Sequence, residues 1–307
     1  MEVSVIIESV TTLFIIILVG VYASKKKIIT ATMNKGLIDL LIQIALPFMI
    51  LSSFIYTYDN TIKSNVLKTF YYTIIAYIIM ITLSYLLLLP IKNDKKTILH
   101  FANVFTNTGY VGFPILNSIY GAEGVVYGSI FNIFFVILVW TYGIIIFKGN
   151  FEKKELKEEL KKILLNPSII AVCIGLILMI FDIQLSGALL SSIKAIGNIT
   201  GPLSMIIIGV ILSNVKLERY LRDWTLYYGI ATRLIIIPAI MYLISLVVAT
   251  PSKAINTVII MSALPAAAMT SILAEIFDKE KDYAAVVVAV TTLLSLITVT
   301  VLLKVII

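Results

Sequence analysis

Residues 107–114 read NTGYVGFP and interrupt a stretch that is otherwise long and apolar enough to cross a membrane. Pro114 has no amide hydrogen, and its ring crowds the carbonyl of Tyr110 one turn earlier. Gly109 and Gly112 lower the cost of leaving helical geometry just before it. The stretch therefore predicts a helix broken at Pro114. Broken backbone leaves polar groups unsatisfied in lipid, so we expect this break to face protein, water or a solute.

The composition indicates a membrane protein. The chain has 307 residues, of which 60% are hydrophobic and 13% charged, whereas soluble domains carry about 25% charged residues. The mean hydropathy is +1.05. Unbroken apolar runs of about 20 residues favour helices over the alternating strands of a barrel, so the predicted class is all-α integral membrane. Ten such segments lie between the charged clusters, at residues 3–23, 34–56, 66–90, 98–120, 123–147, 168–186, 189–213, 224–249, 254–277 and 284–306.

Lysine and arginine residues predict the orientation of these segments. They concentrate in the connections after the odd-numbered segments and are sparse in the others. Because basic residues stay on the cytoplasmic side of short loops, the sequence predicts a multi-pass protein of the cell membrane with both termini outside. The connection at residues 148–167 is then a cytoplasmic amphipathic linker. This asymmetry accounts for the net charge of +7 without a nucleic-acid partner, and the bilayer is the expected surrounding.

Prolines recur at matched places in the two halves of the chain. Pro47 and Pro202 lie in segments 2 and 7, and Pro114 and Pro265 lie in segments 4 and 9. Each half has an odd number of crossings, so the pattern predicts two inverted five-helix repeats, 1–147 and 168–307. Coincidence is the alternative, since proline is common in membrane helices. Two helices broken at Pro114 and Pro265 near the midplane would present half-helix ends to a common cavity. The positive N-terminal ends favour an anionic solute.

Polar and backbone-breaking residues of the spans are the candidate substrate contacts. They are Asn103, Asn107, Tyr110, Gly112, Pro114, Asn132, Ser262, Pro265, Thr270 and Ser271. Asn103, Asn107, Tyr110 and Pro114 share one helical face up to the predicted break. The alternative is that they only cap freed backbone or bond between helices. Arg233 lies within segment 8, where its charge either attracts or gates an anion or bonds the carbonyls of the broken helices.

Several motifs resemble the auxin efflux carrier family over essentially the whole chain. They are NTGYVGFPILNSIYGAEG at 107–124, Phe131-Asn132, GPLSMIIIGVILSN at 201–214, Arg233-Leu234 with Pro238, and ALPAAAMTSILAE at 263–275. The resemblance implies a scaffold of helices 1, 2, 6 and 7 and a moving domain of helices 3–5 and 8–10. It also implies that helices 4 and 9 cross at the substrate site, with Asn107 matching the asparagine before the crossover, and it suggests a homodimer.

The short linker departs from the long plant carriers of auxin and is similar to short prokaryotic members. Such members are described for malonate, malate or unspecified organic anions. The resemblance therefore implies a secondary carrier for a small organic anion, of elevator type, without fixing whether that anion is auxin-like or a dicarboxylate. Proton coupling, sodium coupling and uniport all remain open at this point.

Other functional classes fit the residues less well. The chain has one His and one Cys and contains no HExxH, GxSxG or CxxC motif. We therefore do not expect the protein to be an enzyme or to bind a metal or a cofactor. A channel would need a continuous polar pore, whereas the polar groups gather at the predicted midplane. The runner-up within transporters is a sodium-coupled organic-anion symporter of the bile-acid type, for which several oxygens would have to converge behind the crossover.

Overall fold

A computed structural model describes residues 3–55, 60–92, 94–149, 161, 163–214, 218–248 and 252–306. Within those ranges the regular structure is helical, and the one β-type contact is an isolated antiparallel bridge between Thr106 and Ala266. The α-helices are α1 (Val3–Lys25), α2 (Ala31–Leu40), α3 (Leu46–Phe54), α4 (Asn60–Leu87), α5 (Lys95–Val104), α6 (Phe113–Leu138), α7 (Ile144–Lys148), α8 (Pro167–Ile180), α9 (Gly187–Gly197), α10 (Thr200–Asn214), α11 (Trp224–Ala231), α12 (Ile237–Val248), α13 (Lys253–Ser262), α14 (Met269–Ile276) and α15 (Lys281–Ile306). Short π-helical turns join several of them, at Leu41–Ala45, Thr108–Gly112, Val139–Gly143 and Thr232–Ile236.

Apolar length confirms the prediction of an all-helical integral membrane protein. Among the described residues, six helical runs are long and apolar enough to cross a bilayer, namely Thr32–Phe54, Thr61–Leu87, Thr108–Lys148, Gly187–Asn214, Trp224–Val247 and Lys281–Ile306. Shorter apolar helices cover Thr11–Lys25, Pro167–Ile180 and Lys253–Ser262. Each predicted apolar segment therefore contains helix in the part of the chain that the structure describes. Apolar side chains remain exposed on many of these helices, as expected for surfaces that face lipid.

The longest run, Thr108–Lys148, consists of two antiparallel pieces. Gly121 has φ +60° and ψ −145°, which is outside helical geometry and favours glycine. A Cβ added at Gly128 would lie 2.5 Å from Leu116 and 3.7 Å from the ring of Phe113. In a straight helix, residues 15 positions apart are separated by about 22 Å. The chain therefore reverses at Gly121, between the segments that the sequence separates at the same point.

The break in segment 4 lies at residues 105–107 and not at Pro114, so that part of the prediction is wrong. Pro114 lies in the first turn of α6, directly after a π-helical turn, and such a local adjustment lets a membrane helix accommodate proline. The preceding turn is π-helical, with Gly112 donating to Asn107 O at 3.0 Å. In segment 9 the helix is interrupted between Ser262 and Met269, a stretch that includes the predicted Pro265.

The connection between the two halves lies mostly outside the described residues. Most of the predicted amphipathic linker, residues 150–160 and 162, is outside the residues that the structure describes. Beyond the linker, α8 begins at Pro167. Its N-terminus is capped by Asn166, whose Oδ1 accepts from Ser168 N at 3.0 Å and Ile169 N at 3.4 Å.

Close glycine contacts hold one set of helices together, which we name group A and define as α1–α3 and α8–α10. A Cβ added at Gly209 of α10 would lie 2.1 Å from Ile17 O and 2.8 Å from Gly20 Cα of α1. At Gly197 of α9 it would lie 2.8 Å from Met49 Cα of α3. Small residues of this kind let the backbones of membrane helices approach closely, which is a main source of their association.

In a second set of helices the glycines lie close to leucine side chains. We name it group B and define it as α4–α7 and α11–α15. A Cβ at Gly112 would lie 2.7 Å from Leu264, and one at Gly229 of α11 would lie 2.3 Å from Leu99 of α5. Between the groups the corresponding contact is looser, since a Cβ at Gly109 would lie 3.7 Å from Leu46, an ordinary van der Waals distance. The closest contacts of the described glycines therefore lie within the groups, and the one between the groups is of ordinary length.

Asp223 connects three helices of group B at one end of the molecule. It caps α11 by accepting from Thr225 N at 3.0 Å and Thr225 Oγ1 at 2.7 Å, and it forms an ion pair with Lys95 at the start of α5. Thr225 Oγ1 also lies 2.9 Å from Tyr283 OH of α15. Burial raises the pKa of the Asp223 carboxyl, but the hydrogen bonds from Lys95 and Thr225 outweigh burial and lower it.

Replacing Asp223 with asparagine tests this assignment through pH. A carboxyl group with a lowered pKa stabilises the fold above its unfolded pKa of about 3.9, and the stabilisation is lost as pH falls through the folded value. Since asparagine still caps a helix, Asp223→Asn should lose about 1 kcal/mol at neutral pH, and the difference from wild type should vanish in acid. Thermal unfolding in detergent at a series of pH values measures this. Asp282 is exposed, and Asp282→Asn provides the control. A loss of stability in Asp223→Asn that does not depend on pH would contradict the assignment.

Candidate functional site

The two helix breaks contact each other through main-chain hydrogen bonds. Asn107 N donates to Pro265 O at 2.8 Å, and Ala267 N donates to Phe105 O at 2.9 Å, with Thr106 and Ala266 paired between them. In this way the extended residues of each break satisfy polar groups of the other, as an interrupted helix in an apolar surrounding requires. We call this arrangement the crossover. Its residues are fully or almost fully buried, with Asn107 at 5% exposure.

A cavity of about 250 Å³ lies beside the crossover, between groups A and B. It extends to the start of α8, at the end of the molecule that carries the connection between the halves. Its lining combines both breaks with one wall from each group, namely Ile42, Leu46, Thr106, Asn107, Thr108, Gly109, Tyr110, Asn132, Phe135, Val136, Val139, Trp140, Asn166, Ser168, Ala267, Ala268, Met269 and Ile272. The volume is just below the range of about 300–1,000 Å³ typical of pockets for drug-sized ligands, so it suits a smaller molecule.

Three helix N-termini reach this cavity. The π-helical turn that leads into α6 starts at Thr108, α14 starts at Met269, and α8 starts at Pro167. Asn107 and Asn166 cap two of these termini with their side chains, whereas α14 has no side-chain cap. Several first-turn amides already donate to these caps or to nearby carbonyls, so it is mainly the positive ends of the helix dipoles that favour a negatively charged group here. The polar end of the cavity is therefore an anion-attracting surface made mainly of backbone.

Asn132 contributes a polar side chain from the middle of α6. Its Oδ1 accepts from Thr108 Oγ1 at 2.8 Å, so its amide is held in a fixed orientation beside the first residue after the break. Asn107 Oδ1 accepts from Tyr110 N at 3.2 Å. These bonds connect the lining residues of α6 to the crossover and place two amides at the same end of the cavity.

Apolar and aromatic side chains form the rest of the lining. Phe135, Trp140 and Met269 come from group B, and Ile42 and Leu46 come from group A. No Lys, Arg, Asp or Glu lines the cavity among the residues that the structure describes. A ligand bound here would therefore place one polar group at the crossover and an apolar body against the wall.

A family model described as a membrane transport protein matches residues 5–303. This chain belongs to the membrane transport protein family. The match confirms the resemblance to the auxin efflux carriers, which are included in the family. It identifies the protein as a membrane transporter.

Two archaeal relatives of this membrane transport protein are similar over almost their whole length. An uncharacterized transporter of Methanocaldococcus jannaschii is 25% identical over 305 residues, covering 94% of this chain and 95% of the relative. An uncharacterized transporter of Methanothermobacter thermautotrophicus is 23% identical over 294 residues, covering 94% and 95%. Neither description states a substrate, so the cavity of this membrane transport protein has to be interpreted from its own residues.

The structure brings some of the predicted site residues of this membrane transport protein to the cavity and places others elsewhere. Asn107, Tyr110 and Asn132 line it. The other predicted residues have different surroundings. Asn103 Oδ1 accepts from Thr232 Oγ1, Ser262 Oγ donates to Ile259 O, and Pro265 O accepts at the crossover. Gly112 packs against Leu264, Pro114 lines a cavity on the opposite side, and Thr270 and Ser271 lie in α14 outside the lining. Asn103 faces away because the break separates it from Asn107.

Arg233 does not line the cavity of this membrane transport protein. Its side chain is 0% exposed, and its guanidinium group donates to three carbonyls. Nε donates to Leu264 O at 2.9 Å, Nη1 to Asn103 O at 2.7 Å, and Nη2 to Ser262 O at 2.8 Å. Of the two roles considered from the sequence, the geometry therefore shows the bonding of broken-helix carbonyls.

Several residues that line the cavity beside the crossover were not predicted from the sequence. Asn166 and Ser168 were not selected, although asparagine before Pro167 is an N-cap signal that could have indicated a helix terminus. Phe135 and Trp140 were missed because an apolar residue in a membrane span is expected to contact lipid or another helix. No pattern in the sequence separates these two from the many other apolar residues.

Proposed function

We propose that the protein is a secondary carrier for a small organic anion that binds in the cavity beside the crossover. The observation that carries this proposal is the convergence of three helix N-termini on a cavity between two separately packed groups of helices. An anion placed there would be favoured by the positive ends of these helices and would accept hydrogen bonds from the side-chain amides of Asn107 and Asn132. Its binding would need no metal and no basic side chain.

The lining favours a monocarboxylate with an apolar body over a dicarboxylate. A second carboxylate would have to be buried against residues such as Phe135, Val139 and Trp140, where an ion without a partner is strongly disfavoured. One carboxylate at the crossover can be stabilised by the side-chain amides and the helix dipoles there, while an aliphatic or aromatic body covers the wall. We therefore place dicarboxylates below monocarboxylates in expected affinity.

An elevator-type mechanism accounts for the way the two groups are packed. A further cavity of about 460 Å³ lies on the opposite side of the crossover, and it too is lined by both groups, with Ser52 and Asn198 from group A and Asn117 from group B. Movement of group B against group A would carry the crossover from one cavity towards the other. Across the groups, the described ion pair between Lys63 and Asp182 is exposed and does not interlock the helices.

The inverted repeat is supported by matched features of the two broken helices. The first halves, α5 and α13, each contain ten residues and end at the crossover. Each begins with a lysine in an ion pair, Lys95 with Asp223 and Lys253 with Glu123 at 2.5 Å. With this symmetry we propose ten membrane-spanning helices in two repeats, both termini outside, and residues 148–167 in the cytoplasm. The family resemblance adds a homodimer to the proposal.

A thermal-shift series tests the proposed function. The purified protein is heated with monocarboxylates of increasing apolar size, including indole-3-acetate, and with malonate and malate, each in the presence and absence of sodium. A ligand specific for the folded state should raise the apparent stability by about 2.7 kcal/mol at a hundredfold excess over its dissociation constant. Sodium dependence of that shift would favour the alternative, a sodium-coupled symporter of the bile-acid type.

Neutral analogues provide the matched control for the series. The amide of the best carboxylate has the same body without the charge, so it should give little or no shift. A folded protein that responds to no carboxylate, or that responds equally to the amide, would contradict an organic-anion carrier. Transport of the best ligand into proteoliposomes then separates a carrier, which saturates and shows counterflow, from a channel.

A further inference from the structure

Arg233 brings together the C-terminal ends of both broken helices. Asn103 lies in the last turn of α5, Ser262 is the last residue of α13, and Leu264 lies in the second break. The carbonyls of all three residues accept from the one guanidinium group, at distances of 2.5 to 2.9 Å. The side chain itself starts from the π-helical turn at Thr232–Ile236 of segment 8. A single side chain thus connects segments 4, 8 and 9.

Two helix C-termini that meet inside a membrane make a site that attracts a cation. The last carbonyls of a helix lack partners and carry the negative end of its dipole. Carbonyl oxygens of unwound backbone and of half-helix ends are the groups that bind sodium in broken-helix transporters. In this chain those oxygens already accept hydrogen bonds from a permanently charged guanidinium group.

The positive charge of Arg233 is stabilised by the dipoles of these carbonyls. Among the described residues, no carboxylate lies within ion-pair distance of its guanidinium group, although the side chain is fully buried. A buried cation without a carboxylate partner is strongly disfavoured unless several dipoles solvate it. Three carbonyls at two helix ends are an arrangement of dipoles that does so.

We infer that Arg233 is a built-in cation that takes the place of a bound metal ion at the crossover. It acts as a positioning residue, since it holds the two breaks together without contacting the cavity. Assembly of the crossover therefore requires no sodium. The further statement that ligand binding is also independent of sodium rests on the proposed function, whereas the statement about the crossover does not.

The wild-type protein gives the first test. Thermal unfolding is measured in sodium, potassium and choline chloride at equal ionic strength, without any organic anion. The expected result is the same midpoint in all three salts, because the carbonyls are already occupied. A saturable stabilisation that is specific for sodium would overturn the inference. This measurement needs no ligand, so it remains informative even if the carrier proposal fails.

Chemical rescue of a truncated side chain gives the second test. Arg233→Ala should unfold at a lower temperature and bind its best carboxylate about tenfold more weakly or worse, since bonds from charged donors are lost. Low millimolar guanidinium should restore part of both properties in a saturable way. Urea has the same planar shape without the charge and should restore neither. Equal effects of urea and guanidinium, or an unchanged Arg233→Ala, would contradict a cation role.

Matched variants keep the test decisive if Arg233→Ala does not fold. Arg233→Lys retains the charge and Arg233→Met retains the approximate length without it, so lysine should be the more stable of the two and should stay insensitive to sodium. A methionine variant as stable as lysine would show that only packing matters and would overturn the inference. The exposed Arg222 lies outside the membrane segments, and Arg222→Ala should respond to neither guanidinium nor urea.

Discussion

Replacing Gly209 with alanine is expected to lower the free energy of unfolding by about 3 kcal/mol, at the upper end of the usual effect of overpacking. The added Cβ would lie 2.1 Å from Ile17 O and 2.7 Å from Val21 N, and both are backbone atoms of α1. A side chain could rotate away from such a contact, but a helix backbone cannot. The whole of α1 would have to move away from α10 and lose its close packing along the contact.

Gly36 provides the matched control for this substitution. It also lies inside a helix, α2, but a Cβ added there would meet no atom within 4 Å. Gly36→Ala should therefore be neutral or slightly stabilising, since alanine favours a helix over glycine by about 1 kcal/mol. Unfolding of both variants in detergent by heat and by denaturant measures the difference. Equal stability of the two would show that α1 and α10 are not packed as closely as described.

Replacing Asn107 with alanine is expected to raise the dissociation constant of the best carboxylate by about tenfold to a hundredfold. The amide lies at the polar end of the cavity, where a lost hydrogen bond to a charged group is worth about 1.5–3 kcal/mol. Its Oδ1 also caps the turn after the break, so some loss of stability, about 1 kcal/mol, should accompany the loss of affinity. The backbone bond from Asn107 N to Pro265 O does not need the side chain and should persist.

Binding of a carboxylate and thermal unfolding without ligand separate these two effects. Asn214→Ala serves as the control, because Asn214 ends α10 away from the cavity and bonds Val210 O at 2.8 Å. That variant should lose some stability and keep its affinity. If Asn107→Ala binds the carboxylate as tightly as wild type, Asn107 does not contact the ligand, and the anion would have to be bound by Asn132 and the helix N-termini.

The class of the fold could be predicted from composition, whereas the exact break in segment 4 could not. A proline inside an apolar run suggests a broken helix, but a helix can also accommodate proline after a π-helical turn, as at Pro114. The break lies at Phe105–Asn107 because these residues find hydrogen-bond partners in the second break, more than 150 residues later. A local pattern contains no information about such a partner.

The candidate site could be predicted only where polar residues mark it. Asn107 was selected because it matches the asparagine before the family's crossover, and Asn132 because it is a polar residue within a span; both line the cavity. Arg233 was selected because a charge within a span is unusual, but the direction of its side chain decides its role, and a sequence does not show that direction. The apolar wall of Ile42 and Trp140 was not predictable, since its residue types are those of every other span.

The crossover is joined by bonds between main-chain atoms, from Asn107 N to Pro265 O and from Ala267 N to Phe105 O. Such bonds do not depend on which side chains are present, except that proline has no hydrogen to donate. Substitution during evolution can therefore change most side chains around the crossover without breaking its pairing. A family built on this contact can diverge widely in what it transports while keeping one backbone arrangement, and proline at residues 107 and 267 is the change that it cannot accept.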